Sequence, residues 1–152
     1  MHILCIGDVV GSAGCAHLQR VLPRVKREYA VGVCIVNGEN SADGNGILPT
    51  SAQAIFDAGA DVITGGNHSF RRREIYDYLD ENPYVLRPAN LPVGTPGAGA
   101  VTVDRGRYQV LVVNLLGTVS MESLENPFDT LERVVEEEGN PRFCVVDIHA
   151  EA

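Results

Sequence analysis

The sequence lacks any long apolar run. A membrane-spanning helix needs about 20 consecutive apolar residues, and no stretch of this chain approaches that length, so no membrane partner is predicted. The first residues, Met1-His2-Ile3-Leu4-Cys5, carry no basic segment ahead of their apolar stretch. A signal peptide is therefore not expected, and the predicted location is cytoplasmic.

Positive charge is also scarce, with 12 Lys and Arg against 20 Asp and Glu and a formal net charge of −8. Proteins that bind nucleic acid usually present a basic face, because phosphate neutralisation dominates their affinity. The only tight basic cluster is Arg71-Arg72-Arg73, so double-stranded nucleic acid is not expected as a partner. A small phosphorylated molecule is compatible with this charge, since a bound metal ion can supply positive charge locally.

Several familiar site motifs are missing as well. The cysteines include no CxxC pair and no zinc-ligand spacing. Because Cys5, Cys34 and Cys144 lie in apolar runs and Cys15 lies in a predicted helix, we predict buried, reduced thiols. No GxGxxG follows the first apolar run, which disfavours a Rossmann oxidoreductase. The glycine-rich stretch at 94–99 lacks the Lys and Ser/Thr that end a P-loop, so a turn is predicted there.

What the chain does contain is a regular alternation of strand and helix patterns, which predicts an α/β fold with a mostly parallel sheet and flanking helices. The predicted strands lie near 2–7, 31–37, 61–64, 84–86 and 143–148, with a β-hairpin over 101–103 and 108–114. The predicted helices lie near 13–29, 50–59, 72–79 and 127–138. Pro23 is expected to kink the first helix, and Thr50 with Gln53 is expected to cap the second. Residues 1–152 are predicted to form a single domain.

Short polar clusters follow four of the apolar runs. They are Gly7-Asp8, Gly38-Glu39-Asn40, Gly66-Asn67-His68 and Asp147-Ile148-His149. Ligands of open α/β sheets gather outside the carboxyl ends of the strands, so we expect these side chains to meet at one edge of one sheet. Carboxylate, amide and imidazole ligands suit a hard or borderline divalent metal, and their number raises the hypothesis of a two-metal hydrolytic centre. Taken singly, each cluster also fits a helix cap or a turn.

In this order, the clusters resemble those of the calcineurin-like metallophosphoesterase superfamily. They are more closely similar to its bacterial YmdB-type branch through Gly7-Asp8-Val9-Val10-Gly11, Asn37-Gly38-Glu39-Asn40, Gly66-Asn67-His68 and Asp147-Ile148-His149-Ala150-Glu151. The match covers almost the whole chain, and Asn-Gly-Glu-Asn and His-Ala-Glu are far more specific than a bare Gly-Asn-His. The resemblance implies a metallophosphoesterase-like α/β sandwich and a phosphodiesterase of the 2′,3′-cyclic-nucleotide class.

The same resemblance implies a dinuclear centre of divalent metal ions, iron or manganese. The implied ligands are Asp8, Glu39 and Asn40 for one ion and Glu39, Asn67 and His149 for the other, with Glu39 as the bridge. His68 would be the general acid that protonates the leaving oxygen. A metal-bound hydroxide would attack the phosphorus of a small phosphodiester substrate in line.

This sequence departs from the superfamily pattern at two points. The superfamily places a histidine two residues after its first aspartate, where this chain has Val10; the YmdB-type branch shares that difference, and Asn40 would compensate. Family members also continue further and include a Gly-Thr-His-Thr-His segment that supplies one histidine to each metal. This sequence does not contain that segment. We therefore expect a sandwich truncated before its C-terminal layer, whose exposed sheet would allow a homo-oligomer.

Two other interpretations remain open. A non-catalytic regulator related to the same family would bind metal or nucleotide without hydrolysing a phosphodiester. A structural α/β interaction domain would use its polar strand ends only as turns. It would bind no metal and would keep its function when Asp8 or Glu39 is changed.

Overall fold

The computed structural model describes residues 1–119 and 124–150. Glu151, which extends the last predicted cluster, lies outside these ranges. The elements in chain order are β1 (His2–Ile6), α1 (Gly11–Glu28), β2 (Val31–Asn37), α2 (Pro49–Ala58), β3 (Val62–Thr64), α3 (Ile75–Glu81), β4 (Val85–Leu86), β5 (Ala100–Asp104), β6 (Gln109–Leu116), α4 (Pro127–Glu137) and β7 (Cys144–His149). None of the helices in the described ranges is long and apolar enough to cross a membrane.

The strands form two sheets. The first is fully parallel in the order β1-β2-β3-β4. The second has the order β5-β6-β7, in which β5 and β6 form the predicted antiparallel hairpin and β7 pairs with β6 in parallel. The predicted α/β sandwich is confirmed. The expectation that all four clusters end on one sheet is wrong, because the hairpin starts a second sheet and β7 joins it there.

Apolar side chains fill three layers. Between the sheets lie Val33, Ile35, Val62, Leu86, Val103, Val110 and Val112. The helices α1, α2 and α3 cover the outer face of the first sheet, and α4 covers the outer face of β6. Strands β2 and β6 are consequently buried on both faces, which explains why each reads as an unbroken apolar run rather than an alternating one.

One local prediction differs from the structure, and another is not tested by it. Helix α1 continues through Pro23, with Leu18 and Leu22 buried on one face, and the kink expected at Pro23 stays a prediction. Helix α2 is not capped by Thr50 and Gln53. It begins with a proline at its first position, which suits a helix start, and the Ser51 hydroxyl accepts a hydrogen bond from the Leu48 N–H at 3.0 Å.

The cysteine prediction is confirmed in part. All of the cysteines are free thiols, and Cys15 and Cys34 are buried. Cys5 and Cys144 are exposed, because they lie on β1 and β7, each at the edge of its sheet. Burial raises the pKa of the Cys34 thiol from its ordinary value of 9.0 to about 11.

Candidate metal centre

The polar clusters lie where four strands end. Asp8 follows β1, Glu39 and Asn40 follow β2, Asn67 and His68 follow β3, and His149 is the last residue of β7. Backbone hydrogen bonds continue past the strand ends of the first sheet, from Val9 N to Asn37 O at 3.0 Å and from Gly38 N to Thr64 O at 2.9 Å. These bonds hold the turns side by side and bring their polar side chains to a common edge.

Glu39 is the buried centre of the site, with 2% of its surface exposed. Its Oε2 accepts a hydrogen bond from the backbone N–H of His68 at 3.0 Å. Its Oε1 lies 2.7 Å from Nδ1 of His149, whose side chain is 31% exposed. A buried carboxylate is costly unless it is paired. Here one carboxylate is paired with a turn of the first sheet and with a strand of the second.

The carboxylate fits against the backbone of Gly66. A Cβ added at this glycine would lie 2.4 Å from both carboxylate oxygens of Glu39. Gly66 does not have a positive φ, so glycine is required here for space rather than for backbone conformation. The group that approaches the Gly66 backbone this closely is the Glu39 carboxylate of the protein itself.

A second chain of contacts runs from Asp8 through Asn40 to His68. The Asn40 Nδ2 donates to both carboxylate oxygens of Asp8, at 3.1 and 3.0 Å. Because the Asp8 carboxylate only accepts hydrogen bonds, the Asn40 amide directs its NH₂ group toward Asp8 and its oxygen away from Asp8. That oxygen lies 2.7 Å from Nδ1 of His68. His68 Nδ1 is therefore the protonated nitrogen, and Nε2 is left for other partners.

The structure brings most of the predicted site residues into direct contact. Asp8, Asn40 and His68 form one connected set, and Glu39 and His149 form another, joined to the first by the His68 backbone. Asn67 is the exception: its side chain is exposed and makes no hydrogen bond to any residue in the described part of the chain. Its assignment to the second ion rests on the resemblance alone.

Sequence reasoning missed a supporting layer beneath these residues. Asn37 and Thr64 are buried at the ends of β2 and β3, and both donate to the carboxylate of Asp147. Ser69 is also buried and hydrogen-bonds to the N–H and the carbonyl oxygen of Gly66, each at 2.9 Å. Asn37 could have been noticed as part of the Asn-Gly-Glu-Asn segment, but Thr64 carries no signal because it ends an apolar run.

The donor set of carboxylates, amides and imidazoles suits a hard or borderline divalent cation. Within residues 1–119 and 124–150, no group of three or more His, Cys, Asp and Glu side chains is arranged to hold a metal ion. The predicted ligand set differs from such a group because it includes the amides of Asn40 and Asn67. The residue types fit a divalent metal, and the assignment of ligands to ions stays a prediction.

Comparison with known proteins identifies the family of this chain. A family model described as YmdB-like protein matches residues 4–152. The chain belongs to the YmdB-like family. This confirms the resemblance that the Asn-Gly-Glu-Asn and Gly-Asn-His segments carry, and it places the strand-end residues in a YmdB-like fold.

The YmdB-like chain is similar to longer proteins. It is 39% identical to a 2′,3′-cyclic-nucleotide 2′-phosphodiesterase from Bacillus subtilis (strain 168), over 100% of this chain and 58% of that protein. A crystal structure of a hypothetical protein from Thermus thermophilus superposes with a TM-score of 0.93 at 38% identity, covering 100% of this chain and 59% of the other. A phosphatase structure from Mycoplasma pneumoniae gives 0.88 at 28% identity, covering 99% and 55%. The chain thus spans less than two thirds of each of these relatives.

Proposed function

We propose that this chain carries the core of a phosphodiesterase site that acts on small cyclic nucleotides with the help of two divalent metal ions. The observation that carries the proposal is the buried Glu39 carboxylate, held between His149 of one sheet and the His68 N–H of the other. The similarity to a 2′,3′-cyclic-nucleotide 2′-phosphodiesterase supports the substrate class. Residues 1–152 would form one domain that contributes this site.

The metal ligands in this proposal are those that the resemblance implies. Asp8, Glu39 and Asn40 would hold one ion, and Glu39, Asn67 and His149 would hold the other, with iron or manganese as the metal. Two features support the central role of Glu39: its carboxylate is almost fully buried, and Gly66 leaves room for it. When bound, such ions supply Lewis-acid stabilisation of the phosphoryl oxygens and activate water.

His68 would donate a proton to the leaving oxygen of the phosphodiester. The Asn40 amide accepts from Nδ1 of His68 and is itself fixed by Asp8. These bonds orient the imidazole and direct Nε2 away from Asn40, so in the imidazolium form Nε2–H is the donor available to substrate. General acid catalysis by a positioned imidazole typically contributes a factor of about 10²–10⁴ in rate.

A cleft lies near this edge, but neither His68 nor any of the proposed metal ligands lines it. It has a volume of about 300 Å³ and lies between the start of α1, the loop after Asn40 and the start of α2. Its lining includes Ser12, Gln19, Ser41 and Asp43. Small-molecule pockets typically measure roughly 300–1,000 Å³. Because this cleft contains none of the proposed site residues, the substrate class rests on the similarity to the 2′,3′-cyclic-nucleotide 2′-phosphodiesterase.

The test is hydrolysis of 2′,3′-cyclic AMP in the presence of Mn²⁺. Wild-type protein is compared with Glu39→Gln and with Glu132→Gln, a matched change at an exposed position of α4. Turnover by the wild type and by Glu132→Gln, with loss in Glu39→Gln, would support the proposal. Equal turnover by all three would assign the activity to another site or to a contaminant, and no turnover by the wild type would contradict the catalytic proposal for this chain.

A further inference from the structure

A carboxylate from the second sheet joins the strand ends just beneath the candidate site. Asp147 lies on the inward-facing side of β7, where alternate residues are half-buried. Its Oδ2 accepts a hydrogen bond from the hydroxyl of Thr64 and lies 3.4 Å from the amide nitrogen of Asn37. Thr64 and Asn37 are the last residues of β3 and β2. One carboxylate therefore connects three strands and both sheets.

The Asn37 amide extends this connection to Glu39. Its Oδ1 accepts from the Glu39 backbone N–H at 3.3 Å, and its Nδ2 donates to the Gly65 carbonyl oxygen at 3.0 Å in addition to Asp147. Asn37 is 9% exposed, so these partners account for its hydrogen-bonding groups without solvent. The amide thus fixes the backbone that carries Glu39 relative to the turn that carries Gly66.

We propose that Asp147 is a positioning residue that sets the distance between Glu39 and His149. His149 follows Asp147 by two residues and lies on the same side of β7. Glu39 follows Asn37 by two residues. Asp147 contacts Asn37 and Thr64, and these contacts hold β7 against the ends of β2 and β3. Because Glu39 follows β2 and His149 ends β7, the same contacts fix Glu39 and His149 relative to each other. A relative shift of the sheets by about 1 Å would take that 2.7 Å contact out of hydrogen-bonding range.

The consequence for His149 can be measured without a metal. If Glu39 accepts from Nδ1–H of His149, the free nitrogen is Nε2, and the imidazole is held in one tautomer and one orientation. Residues that orient a ligand in this way typically change metal affinity by about 10- to 100-fold when they are altered. The expected change in metal affinity rests on the proposed function. The expected tautomer of His149 does not depend on the proposed function.

The test compares Asp147→Asn, Thr64→Val and Thr64→Ser with the control Ile148→Thr, which changes an exposed side chain of the same strand. Long-range ¹H–¹⁵N spectra of the metal-free proteins report the tautomer of His149. We expect the Nδ1–H form in the wild type, Thr64→Ser and Ile148→Thr, and a mixture of tautomers in Asp147→Asn and Thr64→Val. An unchanged His149 signal in a folded Thr64→Val or Asp147→Asn variant would overturn the inference.

Calorimetric titration with Mn²⁺ gives a second readout. We expect Asp147→Asn and Thr64→Val to weaken Mn²⁺ binding by about tenfold or more, and Thr64→Ser and Ile148→Thr to retain wild-type affinity. Wild-type affinity in folded Asp147→Asn and Thr64→Val would contradict the positioning role. Absence of Mn²⁺ binding by the wild type would instead contradict the proposed function, and the His149 spectra would still decide the role of Asp147. If Asp147→Asn does not fold, the Thr64→Val and Thr64→Ser pair decides both readouts.

Discussion

Glu39 Oε1 lies 2.7 Å from His149 Nδ1, and this contact joins the ends of two strands that belong to different sheets. The same carboxylate accepts the N–H of His68 through its other oxygen. Both oxygens of this buried carboxylate thus contact residues that the resemblance implies in catalysis or metal binding. A substitution that moves this carboxylate should disturb both sheets at the site.

Gly66→Ala should displace the Glu39 carboxylate, because the new methyl group would lie 2.4 Å from both of its oxygens. Gly7→Ala is the matched control, since a Cβ at Gly7 meets nothing within 4 Å and neither glycine has a positive φ. We expect Gly66→Ala to lower the unfolding free energy by about 1–3 kcal/mol, the usual cost of overpacking, and to lower Mn²⁺ affinity.

Thermal unfolding and Mn²⁺ titration of the two variants check this prediction. Gly7→Ala should match the wild type in both measurements. If Gly66→Ala also matched the wild type, the contact between Gly66 and Glu39 could not be close, and the buried position of the carboxylate would be wrong.

His68→Gln should reduce turnover by about 10²–10⁴-fold while the metal content stays the same, because the proposed role of His68 is proton transfer. His17→Gln is the control, since His17 is exposed and its side chain hydrogen-bonds only to Arg20 of α1 among the described residues. The rate of cyclic-nucleotide hydrolysis and the metal content are measured on the same samples. Loss of metal from His68→Gln would show that this imidazole is a ligand rather than the acid.

Cys34 should make stability depend on pH in the alkaline range. Burial is the main cause that raises the pKa of its thiol in the folded protein from 9.0 to about 11. The unfolded chain therefore releases the thiol proton at a lower pH than the folded chain does. The stabilising contribution is present below pH 9 and is lost as the pH rises through about 11.

Urea unfolding of the wild type and of Cys34→Ala at several pH values tests this. The unfolding free energy of the wild type should fall more steeply between pH 9 and 11 than that of Cys34→Ala. The comparison uses slopes because removing the buried side chain lowers the stability of the variant at every pH. Parallel slopes would mean that Cys34 is not protected from ionisation.

The pattern of apolar runs and turn residues predicted the fold well where these local signals agree with the tertiary structure. The run at 31–37 matches β2 residue for residue, and Gly59 ends α2 in the left-handed conformation that favours glycine. A local rule could not show whether α1 continues through Pro23, as it does, because the rule does not include the packing of the helix on a sheet. The exposure of Cys5 and Cys144 was missed because composition does not show which strands lie at sheet edges.

The sequence also predicted only part of the candidate site. Asp8, Glu39 and His68 were identified because each follows an apolar run at a strand end. The division into two sheets could not be derived, since the partner of β7 depends on pairing between distant segments. Thr64 became visible only through its contact with Asp147, because a buried polar residue at the end of an apolar run looks like an ordinary strand residue in sequence. Asn37 belongs to the Asn-Gly-Glu-Asn segment, but its contact with Asp147 could not be derived.

The metal content of the protein decides whether Glu39 bridges two metal ions, as we propose. Protein purified without chelator is analysed by inductively coupled plasma mass spectrometry, with Glu39→Ala and the exposed Glu132→Ala prepared in parallel. We expect about two iron or manganese ions per chain in the wild type and in Glu132→Ala, and loss of both ions in Glu39→Ala. A full metal complement in Glu39→Ala, or none in the wild type, would contradict this proposal.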